Sequence, residues 1–136
     1  MKKIEGFTLI ELMLVLVIIG TLATIILPHI GGEAKRSKII AAQAEVENIG
    51  IALDRFELDA GSYPSTGEGL GALMMNPGSV EDWGGPYLKG SQDKLKDSWS
   101  RPYQYLCPGI HNPDSYDLES YGPDGVDGGE DDIKNW

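Results

Sequence analysis

Residues 6–28 read GFTLIELMLVLVIIGTLATIILP, and this stretch decides the fold. Counted from Phe7 to Leu27 it holds 21 residues, almost all of them apolar. A helix of about 20 apolar residues is long enough to cross the hydrocarbon core of a bilayer. Lys2 and Lys3 precede the stretch, and such a positive flank favours the cytoplasmic side. The sequence predicts one membrane span over residues 7–28, with the remaining chain on the opposite side.

One residue of this span is ionisable. Glu11 lies near the start of the apolar run, and a charged side chain within lipid is costly and is usually paired. Two interpretations are open at this point. Glu11 either stays at the level of the lipid headgroups or meets a cationic partner on another molecule.

The sequence from Gly6 to Glu11, behind a short basic leader, resembles the class III signal of type IV pilin-like proteins. The resemblance implies that a prepilin peptidase removes residues 1–6 and that the new N-terminal residue, Phe7, is methylated. It also implies that Glu11 of one subunit pairs with the Phe7 amine of the next. Such a pair would set the axial register between helices, because an unpaired charge in a low dielectric is penalised.

Pro28 lacks an amide hydrogen, so it is expected to kink or break the helix, and Gly31 and Gly32 loosen it further. The resemblance implies that the segment between Gly20 and Pro28 can unwind on assembly. Helical periodicity returns from about Glu33 to Ala60 as one apolar stripe. The stripe consists of Ile39, Ala42, Val46, Ile49, Leu53, Phe56 and Ala60.

The rest of the head, residues 29–136, contains shorter elements. Ser65 and Glu68 have capping-box spacing, which predicts a short helix over residues 66–75. Residues 78–101 are rich in Gly, Pro, Ser and Trp and indicate an ordered loop. Residues 103–106 and 116–121 are expected to form two short strands, with a weaker third near residues 87–88. Two or three strands cannot form a core alone. The sheet in residues 102–136 is therefore expected to lie against the helical stripe in an α+β fold.

Several motifs along the chain resemble the major pseudopilin family of type II secretion systems. They are Tyr63-Pro64, the run EGLGAL at 68–73, Asp97-x-Trp99, Tyr103-x-Tyr105, Pro108-Gly109, SYGPDG at 120–125 and DDIKNW at 131–136. The resemblance implies a type IV pilin-like subunit that forms a helical homopolymer in the periplasm and drives the export of folded proteins. The implied partners are further copies of the chain, minor pseudopilins, the prepilin peptidase and an inner-membrane assembly platform. At two positions, Ser98 and Ser100, the chain departs from the Pro and Gly that the family commonly carries.

Charge and cysteine content exclude one class of partner and one kind of cross-link. The net charge of −10 argues against nucleic acid as a partner, because phosphates require Lys and Arg. Cys107 is the single cysteine, so an internal disulfide is excluded. A small extracytoplasmic head without a disulfide needs another cross-link, and a bound metal is a common substitute.

Acidic side chains crowd the C-terminal region, and Lys134 is its only Lys or Arg. Such a run is commonly a solvated, disordered tail. Its glycines suit a folded loop that holds a hard cation, and the flanking apolar residues Ile133 and Trp136 are positioned to anchor the end of that loop. Calcium takes about 6–8 oxygen ligands from carboxylates and carbonyls, which fits this composition, although the spacing is not that of an EF-hand. The family resemblance implies Ca2+ bound by the side chains of Asp124, Asp131 and Asp132 and the carbonyls of Tyr121, Val126 and Gly129.

Other functions are weaker interpretations. The runner-up is a major type IV pilin-like subunit of a surface filament, for adhesion, motility or electron transfer. A membrane-anchored calcium-binding module acting alone is a third possibility, although it would have no use for Glu11 or for processing after Gly6. Cys107 and His111 are too few ligands for a zinc site. No set of residues supports a hydrolase, so the chain is expected not to be an enzyme.

Overall fold

This computed structural model describes the backbone of residues 6–136 and the side chains of residues 6–24 and 32–136. Helix α1 spans Leu9–Ala60, and two short 3-10 helices follow at Leu70–Leu73 and Gln92–Leu95. Strands β1 (Gln104–Leu106), β2 (Asp117–Ser120) and β3 (Ile133–Lys134) form one sheet. The chain divides into two compact units, Met1–Arg36 and Ser37–Trp136.

In the first unit the large apolar side chains of α1 from Leu9 to Leu22 are all exposed. Leu9 is 79 % exposed, and Leu14, Leu16 and Ile19 are each more than half exposed. Within the residues that the structure describes, no helical stretch has both the length and the apolarity required to span a membrane. The span predicted over residues 7–28 lies partly outside these residues, because the side chains of 25–28 are not among them.

Pro28 lies inside the bounds of α1, so of the two expected effects, a kink or a break, the break is wrong. A proline removes one backbone hydrogen bond, and the turns on either side can keep theirs. A kink at Pro28 stays a prediction, since its side chain lies outside the described residues. The leader, residues 1–5, lies outside them as well.

The second unit is organised around the apolar stripe of α1, as the periodicity predicts. Ala42, Val46, Ile49, Leu53 and Phe56 are buried, and Ile39 and Ala60 are partly buried against them. The other side of the core comes from the sheet and the loops that carry it. Its buried side chains are Leu70, Leu73, Tyr103, Tyr116, Leu118 and Ile133.

The sheet is antiparallel with the order β1-β2-β3, and Tyr105 pairs with Leu118 and Ser120 with Ile133. The first two predicted strands are confirmed within a few residues, but the suggested third strand near residues 87–88 is wrong. The amides of Tyr87 and Leu88 donate to the carbonyl of Leu73 instead. The third strand is the two-residue β3, whose short length gives no recognisable alternation in the sequence.

The predicted helix over residues 66–75 is much shorter in the structure. Its capping box is present, because the Ser65 amide and hydroxyl donate to Glu68 Oε2 at 2.8 and 2.7 Å. However, Gly69 has φ +61°, which ends this turn, and only the 3-10 helix Leu70–Leu73 follows. A left-handed glycine commonly terminates a helix.

Two leucines of α1 test the role of the stripe. Leu53 is fully buried and Leu58 is 83 % exposed. We expect Leu53→Ala to lower the free energy of unfolding of the head by about 2–5 kcal/mol, because it removes buried contacts and leaves a cavity. Leu58→Ala is the matched control and should change it by less than about 0.5 kcal/mol. Denaturant titration followed by tryptophan fluorescence measures both, and equal losses would contradict the packing.

Candidate metal centre

The acidic loop is a folded connection between β2 and β3, residues 121–132. The Gly125 amide donates to the Tyr121 carbonyl at 3.0 Å and closes its first turn. Gly122 has φ +57°, and a Cβ there would collide with the Asp131 carbonyl. Glycine is therefore required at this crossing of the two ends of the loop.

The structure brings two of the predicted ligand side chains to the same place. The carboxylates of Asp124 and Asp131 both lie beside Gly129, where a Cβ would be 3.6 Å from Asp124 Oδ2 and 2.7 Å from Asp131 Oδ1. Asp124 Oδ1 also accepts the Val126 amide at 2.9 Å, which orients the carboxylate along the loop. Val126 itself is exposed.

Asp132 is the third predicted ligand, and its side chain is fully buried. Its Oδ2 accepts the Gly128 amide at 2.9 Å and lies 3.1 Å from Lys134 Nζ. Its Oδ1 is buried and has no hydrogen-bond partner among the described residues. A buried carboxylate oxygen without a partner is costly and calls for an ion or a water molecule. The donor set at this loop thus fits a hard cation.

Two further acids, which sequence reasoning did not assign as ligands, lie beside Asp132. Carboxylate oxygens of Glu119, Asp127 and Asp132 lie within 4.8 Å of one another. Among the described residues neither Asp124 nor Asp131 belongs to this group. Burial raises the pKa of Glu119, and Asp127 and Asp132 raise it further, against the opposing charge of Lys134. The hydrogen bond to Asp132 in turn raises the pKa of Lys134.

Strand alternation could have identified Glu119. Leu118 and Ser120 are buried, so the residue between them faces the other side of β2. Asp127 had no such signal, because its position depends on the path of the loop.

The end of the loop is held by the last residues of the chain. The Leu118 amide donates to Asn135 Oδ1 at 2.9 Å, and the Asn135 amide donates to the Leu118 carbonyl at 3.1 Å. The ring of Trp136 stacks on His111 with centroids 4.2 Å apart. These contacts anchor the C-terminal end, as the position of Ile133 and Trp136 predicted.

His111 and Cys107 have separate structural contacts. His111 Nδ1 lies 3.1 Å from Asp117 Oδ2. The Cys107 amide donates to Thr66 Oγ1 at 2.9 Å, and that hydroxyl donates to the Cys107 carbonyl at 3.0 Å. Cys107 is partly buried and packs against the core.

The predicted assembly residues form a local arrangement at the start of α1. The amide and hydroxyl of Thr8 each donate to Glu11 Oε2 at 2.8 Å, and the Glu11 amide donates to Thr8 Oγ1 at 3.3 Å. This is a reciprocal capping box, which satisfies orphan amides of the first turn. Gly6 and Phe7 precede it and are exposed, with Phe7 86 % exposed.

Comparisons with known proteins cover the whole chain. A family model described as type II secretion system protein G matches residues 29–136, and a prokaryotic N-terminal methylation motif matches residues 1–27. The chain is 43 % identical to the type II secretion system core protein G of Pseudomonas aeruginosa, over 99 % of this chain and 96 % of that protein. It is 39 % identical to the core protein G of Escherichia coli K12, over 98 % and 92 %. The crystal structure of the major pseudopilin of enterohaemorrhagic Escherichia coli is similar, with a TM-score of 0.61 and 31 % identity over 77 % of this chain and 87 % of that chain.

The carboxylate of Asp117 predicts a pH dependence. Burial would raise its pKa, but hydrogen bonds from the amides of His111 and Asn112, from the His111 ring and from the Ile110 amide together lower it. A lowered folded pKa contributes stability that is present above the unfolded value, about 3.9, and is lost as pH falls through the folded value. We expect wild type to be more stable than Asp117→Asn at pH 7, and the difference to shrink below about pH 4. Urea midpoints measured in chelator at pH 7 and pH 3 test this, and a constant difference would contradict it.

Proposed function

The chain belongs to the protein G family of type II secretion systems and is a subunit of a pseudopilus, and we propose that its apolar helix serves as a membrane anchor before assembly and as the filament core afterwards. The observation that carries the proposal is the start of α1. There a single carboxylate, Glu11, lies near the start of a helical stretch, Leu9–Leu22, whose large apolar side chains are all exposed. So large an apolar surface marks a membrane or protein contact.

The N-terminus lies in the cytoplasm and the head in the periplasm, in a single-pass arrangement at the inner membrane. Prepilin peptidase cleaves between Gly6 and Phe7, and Phe7 is methylated. The inner-membrane assembly platform then adds the subunit to a filament that contains further copies of the chain and minor pseudopilins. The role of the subunit is mechanical, and it catalyses no reaction.

Glu11 exchanges partners during assembly. In the single chain its carboxylate accepts two hydrogen bonds from Thr8. In the filament the Phe7 amine of a neighbouring subunit joins it, and the ion pair sets the register because each stray charge is penalised in a low dielectric.

Calcium holds the head together in place of a disulfide. The side chains of Asp124, Asp131 and Asp132 and the carbonyls of Tyr121, Val126 and Gly129 would hold the ion. Bound calcium neutralises the crowded carboxylates and cross-links the two halves of the loop. The buried Asp132 oxygen without a partner supports this assignment.

Two substitutions of Glu11 separate its two roles. Glutamine keeps the capping box but removes the charge, whereas alanine removes both. We expect Glu11→Gln and Glu11→Ala both to be processed after Gly6 and both to lose filament formation. Mass spectrometry measures processing and electron microscopy counts filaments. Normal filaments from Glu11→Gln would show that the charge does not set the register.

Thermal unfolding of the full chain in detergent tests the calcium site. All three tryptophans lie in the head, so their fluorescence reports its unfolding. Calcium at about 100 times its dissociation constant should add about 2.7 kcal/mol of stability relative to chelator. Asp124→Ala should abolish this gain, whereas Glu130→Ala, which removes a charge from the same loop, should keep it. Loss of the gain in Asp127→Ala but not in Asp124→Ala would assign the ion to the Glu119 cluster instead.

A further inference from the structure

A tight turn at residues 97–101 lies beside the first half of the acidic loop. The carboxylate of Asp97 is buried, and its Oδ1 accepts the amides of Trp99 and Arg101, both at 2.9 Å. The Asp97 amide donates to the Arg101 carbonyl at 2.7 Å. Ser100 takes φ +66°, a left-handed conformation that is uncommon for a residue other than glycine. The hydrogen bonds between Asp97 and Arg101 close the turn and fix the backbone of Arg101.

Residues of this turn and the neighbouring Ser120 fix both the backbone amide and the backbone carbonyl of Gly122 in the loop. Asp97 Oδ2 accepts the Ser120 hydroxyl at 2.6 Å, and that hydroxyl oxygen accepts the Gly122 amide at 3.3 Å. Arg101 Nη2 donates to the Gly122 carbonyl. The guanidinium also lies against Gly125, where a Cβ would collide with it. Both ends of the Tyr121–Gly125 turn are thus set by Arg101 and its neighbours.

We propose that Arg101 is a positioning residue for the metal centre: its guanidinium holds the Tyr121–Gly125 turn in the shape that presents Asp124 and the neighbouring carbonyls to the ion. This rests on the proposed calcium function. Arg101 does not bind the ion. Arg101 orders the first half of the loop before calcium binds, so that binding costs less conformational entropy.

The contacts indicate that geometry, rather than charge, is what Arg101 supplies. Among the described residues its one acidic partner within 4.0 Å is Asp97, with Nε 3.7 Å from Oδ2. Arg101 Nε is also buried without a hydrogen-bond partner in the described part of the chain, which works against stability. The guanidinium also lies over the ring of Trp99, with its carbon 5.7 Å from the ring centroid. The bond to Gly122 and the contact with Gly125 are the contacts that reach the acidic loop.

Lysine cannot reproduce this arrangement. A guanidinium offers several donors in a rigid plane, whereas an ammonium is a compact point charge on a flexible stem. Arg101→Lys keeps the charge and loses the geometry, and Arg101→Gln loses both. Lys96→Gln is the matched control, because it removes a nearby positive charge that forms only an exposed ion pair with Asp93.

The experiment combines two measurements on the full chain in detergent. Isothermal titration with Ca2+ gives the dissociation constant, and hydrogen exchange in chelator follows the amides of residues 121–126. We expect both Arg101 variants to bind calcium about tenfold to hundredfold more weakly, as is typical for residues that orient ligands. Both should also exchange these amides faster, while Lys96→Gln matches wild type in each measurement. Unchanged exchange in residues 49–56 verifies that the core is folded.

Each outcome decides the proposal. Wild-type affinity in Arg101→Lys would show that charge suffices and would overturn it, as would unchanged exchange at 121–126 in both variants. Faster exchange with unchanged affinity would overturn the link to the ion and leave Arg101 a purely structural residue. If wild type itself binds no calcium, the proposed calcium function fails, and the proposal that Arg101 positions ligands for an ion falls with it. The exchange measurement then separately decides whether Arg101 shapes the turn.

Discussion

The head depends on one face of α1. Its sheet has three strands of three, four and two residues, and so small a sheet cannot form a stable core by itself. Leu53 and Phe56 supply the missing layer, and Leu118 packs on them from β2. Fully burying one such side chain contributes about 1.5–3 kcal/mol. The helix that we propose to form the filament core therefore also supplies the face on which the head folds.

The acidic loop is the second constraint, and hydrophobic burial contributes little to it. The hydrogen bonds that join Asp97, Arg101 and Ser120 hold the start of the loop. The hydrogen bond between Asn135 and Leu118 of β2 holds its end. Between these two anchors the carboxylates repel one another, and Lys134 offsets only part of their charge. A divalent ion would complete a structure that the protein has already fixed at both ends.

In the proposed assembly, Glu11 has one partner in the single chain and another in the filament. A carboxylate in an apolar helix needs a partner at every stage, and Thr8 supplies one within the chain. These are hydrogen bonds from neutral donors to the carboxylate. A neighbouring amine can therefore compete for the same carboxylate, since a pair of opposite charges in a low dielectric interacts more strongly than a neutral hydrogen bond. In the proposed assembly, the local cap would satisfy Glu11 until that amine binds it.

The sequence by itself determined the apolar N-terminal stretch, the buried stripe of α1, the first two strands and the position of the acidic loop. These features are periodic or compositional, and local chain geometry converts such patterns directly into structure. It also indicated the capping box at Ser65 and the anchoring of the chain end at Ile133 and Trp136. Only the tertiary structure decided that the third strand is Ile133–Lys134, that Glu119 and Asp127 meet Asp132, and that Arg101 reaches Gly122 across 21 positions of sequence. The reason is that these contacts join residues whose neighbours in sequence carry no repeating pattern, so the packing of the helix and sheet alone brings them together.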